Sequence, residues 1–109
     1  MIKFISAEKT LPLRSEILRP GMDIEACIFP QDNAKGGFHL GYYIEDHLVG
    51  VASFFPRQNK KFEGLAYQLR GMAISNIHQG KGFGRKIIDF AKTQLHVTNA
   101  KYLWCNAGT

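Results

Sequence analysis

Three glycines alternate at Gly80, Gly82 and Gly84, with the basic residues Lys81, Arg85 and Lys86 around them. An apolar run, Leu69-Arg70-Gly71-Met72-Ala73-Ile74, precedes them. Behind them Gly84, Ile87, Ile88, Ala91 and Leu95 follow helical spacing. The stretch therefore reads as strand, glycine-rich turn and helix. A helix start carries unpaired N–H groups and a partial positive charge, which suits an anion. Glycines let the backbone approach that anion closely and adopt positive φ. These residue types in this order predict a phosphate or pyrophosphate cradle. The dinucleotide pattern G-x-G-x-x-G does not fit glycines spaced two apart, and the Walker pattern fails because Gly82 follows Lys81.

The other residues capable of chemistry are less organised. His39, His47, His78 and His96 have no metal-ligand spacing, so no metal is expected. Cys27 and Cys105 form no C-x-x-C pair and read as buried or idle thiols. Glu25 and Glu63 read as exposed carboxylates, and no residue identifies itself as the catalytic base.

The elements that must position the cradle follow from the chain in order. Residues 2–6 read as a first strand. Thr10 is an expected N-cap with Pro12 in the first helical turn, and Leu13, Ile17 and Leu18 give an apolar face before Pro20-Gly21 ends it. A short helical turn is expected over 23–29, and a polar loop over 30–37. Phe38–Ile44 and Leu48–Pro56 form a hairpin around Glu45-Asp46-His47. Residues 57–61 read as a solvated basic connection. Ala66–Ser75 is the third long strand, with Gly71 marking a bulge or close backbone approach. Tyr102 to Asn106 reads as a last, buried strand. Strand, helix, strand from 66 to 106 implies a crossover and a parallel pair. The expected class is a mixed α/β (α+β) fold, an antiparallel and parallel sheet flanked by helices.

Composition narrows the function classes. A chain of 109 residues is one domain, 1–109, and 45% hydrophobic with 21% charged residues excludes a disordered segment. No apolar run approaches the roughly 20 residues of a membrane span. The first residues, Met1-Ile2-Lys3-Phe4-Ile5, do not open a secretory signal, so a cytoplasmic location is expected. The formal charge of +5 favours anionic partners.

Gln79-Gly80-Lys81-Gly82-Phe83-Gly84 also matches Gln/Arg-x-x-Gly-x-Gly/Ala. Placed between this strand and this helix, it resembles the acetyl-CoA signature of the GNAT superfamily of N-acetyltransferases. Leu69–Ile74 is similar to that family's central strand, and the resemblance extends from the first strand to Asn106. It implies a GNAT-like acyltransferase fold whose central parallel strands splay to admit acetyl-CoA. It implies transfer of an acetyl group from acetyl-CoA to an amine on a small molecule or peptide. By resemblance, Met72, Ala73 and Ile74 hold the pantetheine arm through their main chain, like an added strand. The amides of Gln79, Gly80, Lys81, Gly82, Phe83, Gly84 and Arg85 hold the pyrophosphate, with charge added by Lys81 and Arg85. Asn106 bonds the cofactor or a water, and Gln79 shapes the loop. The first helix and the loops around 20–37 and 57–65 choose the acceptor.

The family continues past this strand into a further helix and strand pair, including a Tyr-x-Lys-x-Gly-Phe segment. The chain ends at Ala107-Gly108-Thr109, so a fold lacking the last helix and strands is expected, with self-association through a strand edge. Two other readings stand beside the enzyme: an inactive CoA-binding module, and a basic nucleic-acid-binding domain. The latter is disfavoured because no RNP-like or helix-turn-helix pattern is present.

Overall fold

The computed structural model describes residues 1–57, 66–97 and 102–104. Five strands form one sheet in sequential order: β1 (Ile2–Ile5), β2 (Phe38–Ile44), β3 (His47–Pro56), β4 (Ala66–Ile74) and β5 (Tyr102–Trp104). The first four pair antiparallel, and β4 pairs parallel with β5 through Ala66–Gln68. The mixed sheet expected from the sequence is thus present. Two residues, Glu45 and Asp46, close the β2–β3 hairpin, both at positive φ. That geometry matches the right-handed twist of the flanking strands.

Two helices cover opposite faces of the sheet. Helix α2 (Phe83–Val97) buries Ile87, Ala91 and Leu95 against Leu40, Ala52, Phe54 and Tyr67. Helix α1 (Ala7–Leu13) contributes Leu13 to a second cluster with Val51 and Ala73. Alternation along β3 explains the division: Ala52 and Phe54 face α2, whereas Val51 faces α1. Among the described residues, no helix is long and apolar enough to cross a membrane.

The start of α1 corrects the sequence reading. The helix begins at Ala7 with Ser6 extended before it, so Thr10 is not the cap and Pro12 lies in the last turn. Thr10 Oγ1 instead donates to the Ala7 carbonyl at 2.6 Å. Pro12 has no N–H to give and its ring crowds the carbonyl one turn earlier. Directly after it the helix widens into a π-helical turn, Arg14–Leu18. A short 3₁₀ turn at Ile24–Cys27 fills the expected helical segment. The segments 58–65, 98–101 and 105–109, with Glu63, Cys105 and Asn106, lie outside the described residues.

The bulge at Gly71 is real. Ser53 pairs with Arg70 and Val51 with Ala73, so β4 holds one extra residue between them. Gly71 has φ +64°, and a Cβ there would lie 2.8 Å from Phe29 Cε2 and 3.1 Å from Arg14 Nε. Both the left-handed backbone and the missing side chain are therefore required. Gly71→Ala is expected to destabilise the fold by about 2–4 kcal/mol, combining αL strain with overpacking. A lowered urea midpoint at unchanged slope is the expected result.

Candidate active site

Strand β4 leads directly into the glycine turn. After Ile74, Ser75 opens a short 3₁₀ turn, Asn76–His78, and the chain enters α2 at Phe83. The Gln79 side chain clasps this turn: its Nε2 donates to the Ile74 carbonyl at 2.9 Å and to Asn76 Oδ1 at 3.2 Å. His78 shares a 2.6 Å hydrogen bond with Ser75 Oγ and is half-buried beside Phe83. Gly80 and Gly82 have φ +76° and +84°, and a Cβ at either would meet nothing within 4 Å. These glycines serve backbone conformation, and the turn's outer side is open. Gly84 serves contact, since a Cβ there would lie 3.0 Å from Met72 Sδ. The Gly82 carbonyl accepts from the Lys86 amide at 3.1 Å, so α2 begins at the turn itself. The first amides of α2 have no carbonyl one turn earlier to bond. Lys81, Arg85 and Lys86 are all exposed, and Lys86 Nζ lies over the rings of Tyr42 and Phe83. The candidate residues Met72, Ala73 and Ile74 thus adjoin the turn from Gln79 to Arg85, through Gln79 to Ile74 and Gly84 to Met72.

Strand β4 changes partners along its length. On one side it pairs with β3 as far as Ile74. On the other, among the described residues, β5 accompanies only Ala66–Gln68. The half from Leu69 to Ile74, which holds the bulge, runs on beyond that pairing.

A cleft of about 450 Å³ opens at the bulge, lined by Leu18, Arg19, Phe29, Leu69, Arg70, Gly71 and Met72. Its back wall rests on a buried polar network that no sequence motif announced. Arg14, 1% exposed, donates from Nη1 and Nη2 to the two carboxylate oxygens of Asp32, at 2.8 and 2.9 Å. It also donates to the Cys27 carbonyl and to Ser53 Oγ, and its guanidinium stacks on Phe29 at 3.9 Å. Asp32 further accepts the Phe29 amide at 2.9 Å. His39 Nδ1 lies 2.6 Å from Ser53 Oγ, and its Nε2 lies 3.0 Å from the Asp32 carbonyl. Both ring nitrogens are thus occupied, and His39 has no nitrogen left to serve as a base. Arg14 Nε, facing Gly71, is buried without a partner. Glu25 is exposed, as its sequence context suggests, and Cys27 is fully buried. Among the described residues, no cluster of three His, Cys, Asp or Glu side chains could hold a metal ion.

Burial raises the Asp32 pKa, but hydrogen bonds from Arg14 and the Phe29 amide, with the Arg14 and His39 charges, outweigh it. The result lies below the ordinary value of 3.8. The folded state therefore binds this proton less readily than the unfolded chain. Stability from Asp32 is complete above the unfolded pKa and is lost as pH falls through the lower folded value. Asp32→Asn is expected to flatten the decline in stability below about pH 4. Urea unfolding at pH 3 and pH 7 measures this as a smaller difference in the variant than in the parent.

The site thus combines a mixed sheet, a bulged strand β4 and a glycine turn with basic neighbours at the start of α2. The comparisons place it more closely. Residues 6–109 match the profile described as "Acetyltransferase (GNAT) family". The chain is 38% identical over 107 residues to the "Uncharacterized N-acetyltransferase YitI" of Bacillus subtilis (strain 168), spanning 97% of this chain and 72% of that protein. The fold is similar to a ribosomal-protein-alanine N-acetyltransferase from Brucella melitensis biovar Abortus 2308, with TM-score 0.77 at 18% identity, covering 98% of this chain and 80% of that one. It is equally similar to an aminoglycoside antibiotic 6'-N-acetyltransferase from Acinetobacter haemolyticus, with TM-score 0.79 at 16% identity, covering 99% and 79%. This chain belongs to the GNAT family of acetyltransferases. It is an enzyme of the transferase class, and its reaction is acetyl transfer to an amine.

Proposed function

We propose that acetyl-CoA is the acetyl donor and that it lies along β4 with its pyrophosphate at the glycine turn. The observation that carries this reading is the turn itself: Gly80 and Gly82 at positive φ, open on their outer side, at the start of a 15-residue helix flanked by cations. Successive backbone N–H groups in such turns form an anion-binding concavity. The amides from Gln79 to Arg85 hold the pyrophosphate, and Lys81 and Arg85 add charge. The main chain of Met72, Ala73 and Ile74 takes the pantetheine arm on the side where, among the described residues, β5 does not follow. Asn106 is assigned to the same cofactor through its position after β5.

Bound acetyl-CoA supplies the activated thioester. The bulge at Gly71 and Met72 takes backbone groups out of the regular ladder. An N–H freed there polarises the thioester carbonyl as charge develops on its oxygen. A lysine-like acceptor amine, with a pKa of about 10.4, must first lose a proton. It then forms the new N–C bond as the C–S bond breaks. The amine's proton leaves to solvent, and the departing sulfur takes one up. Transfer is direct, and the fully buried Cys27 thiol is not offered to substrate as an acyl carrier. That buried free thiol also suits a reducing, cytoplasmic compartment. Self-association through a strand edge belongs to the same reading.

Incubation with acetyl-CoA and a pooled amine library tests the proposal. Products heavier by one acetyl group, with equal release of CoA thiol, are expected. A folded chain that binds acetyl-CoA and yields no acetylated product contradicts the transfer.

A further inference from the structure

We infer that the acceptor is an amine that also carries a carboxylate, bound in the cleft beside the β4 bulge. This deepens the function proposed above and rests on it. Among the described residues that line the cleft, Arg19 and Arg70 are basic and none is acidic. Nearby Asp32 adds no free negative charge, because both its oxygens accept from Arg14 behind Phe29. The described lining therefore presents positive charge to its occupant.

Arg70 is well placed to read an anion. Its side chain is half-buried, its guanidinium lies 4.7 Å from the Phe29 ring centroid, and Nη1 donates to Gln31 Oε1 at 3.2 Å. Stacking and this bond fix the plane of the fork. A guanidinium has five N–H donors. Among the described residues, the donors besides Nη1 have no partner, leaving a side of the fork for a bidentate carboxylate. Arg19, also in the lining, is held by a 3.0 Å bond from Nη1 to the Ala26 carbonyl. Leu18, Leu69, Met72 and Phe29 supply the apolar remainder. The volume, about 450 Å³, is that of a small-molecule site. A polycationic acceptor would bring its positive charges against Arg19 and Arg70 with no carboxylate among the described lining residues to pair them. The charge of this cleft thus argues against an aminoglycoside or a polyamine.

The test is calorimetric binding to the full chain saturated with CoA, which needs no turnover. The probes are the common amino acids, their α-amides, spermidine and kanamycin. At least one amino acid is expected to bind tenfold or more tightly than its own amide. That preference should shrink with added salt, and Arg70→Gln should remove it. Arg19→Gln, altering the more exposed partner, should reduce it only in part. Equal affinities for acid and amide, tighter binding of spermidine or kanamycin, or no binding by any acid each overturn the inference while acetyl-CoA binding stands. A folded chain that does not bind CoA at all overturns the cofactor reading, and this inference with it.

Discussion

Gly82→Glu is expected to weaken acetyl-CoA binding by at least about 100-fold while the fold persists. The position has φ +84°, and a Cβ there meets nothing within 4 Å, so the glutamate projects freely from the outer side of the turn. That is the side on which the pyrophosphate is assigned. Two like charges about 4 Å apart near a protein surface repel by roughly 4 kcal/mol at an effective dielectric of 20. Each tenfold in affinity corresponds to about 1.4 kcal/mol, so a hundredfold loss is a conservative figure. Folding bears only the αL strain, about 1–2 kcal/mol, against the 5–15 kcal/mol typical of a domain. Gly82→Ala carries the same strain without the charge and is expected to keep affinity within a few-fold. Calorimetric affinities for the two variants separate charge from backbone geometry. Equal losses in both would place the effect in the backbone rather than in a pyrophosphate site.

Arg14→Met is expected to have the largest effect on stability, about 3–5 kcal/mol. It leaves the Asp32 carboxylate buried with the Phe29 amide but without its cation. It also removes the donor to Ser53 and the guanidinium stacked on Phe29. Adding Asp32→Asn is expected to recover part of the loss, because the buried charge disappears with it. Urea unfolding of the two single variants and the double variant gives the coupling energy. A double variant as unstable as the sum of the singles would mean the pair is not coupled. The consequence reaches the cleft: Phe29 packs on Gly71 and lines the cleft, so this network braces the wall on which Arg70 stacks.

The glycine turn was legible because its requirements are local. Positive φ at alternate residues and a helix start after an apolar strand leave a mark in adjacent positions. The hairpin strands were legible from apolar runs that end at polar residues, and the Gly71 bulge from a glycine inside a strand. The start of α1 was misread because Thr10 and Pro12 imitate a capped first turn. The true cap residue, Ser6, makes no side-chain capping bond. The Arg14 network was not legible at all. An arginine in an amphipathic helix normally lies along the surface, and its partner Asp32 sits 18 residues away in a loop. Its burial comes from tertiary packing against Ser53 and Phe29, which local spacing does not encode. The two cleft arginines were hidden in the same way. Arg70 lies in β4, yet its partners Gln31 and Phe29 come from a distant loop.

Calorimetric titration of the 109-residue chain with acetyl-CoA, with ATP as a second polyphosphate anion, tests the central claim most directly. The account predicts saturable one-to-one binding of acetyl-CoA, clearly tighter than that of ATP, because β4 contributes to one and the turn alone to the other. A folded chain that binds neither, or binds both equally, would contradict the assignment of β4 and the glycine turn to acetyl-CoA.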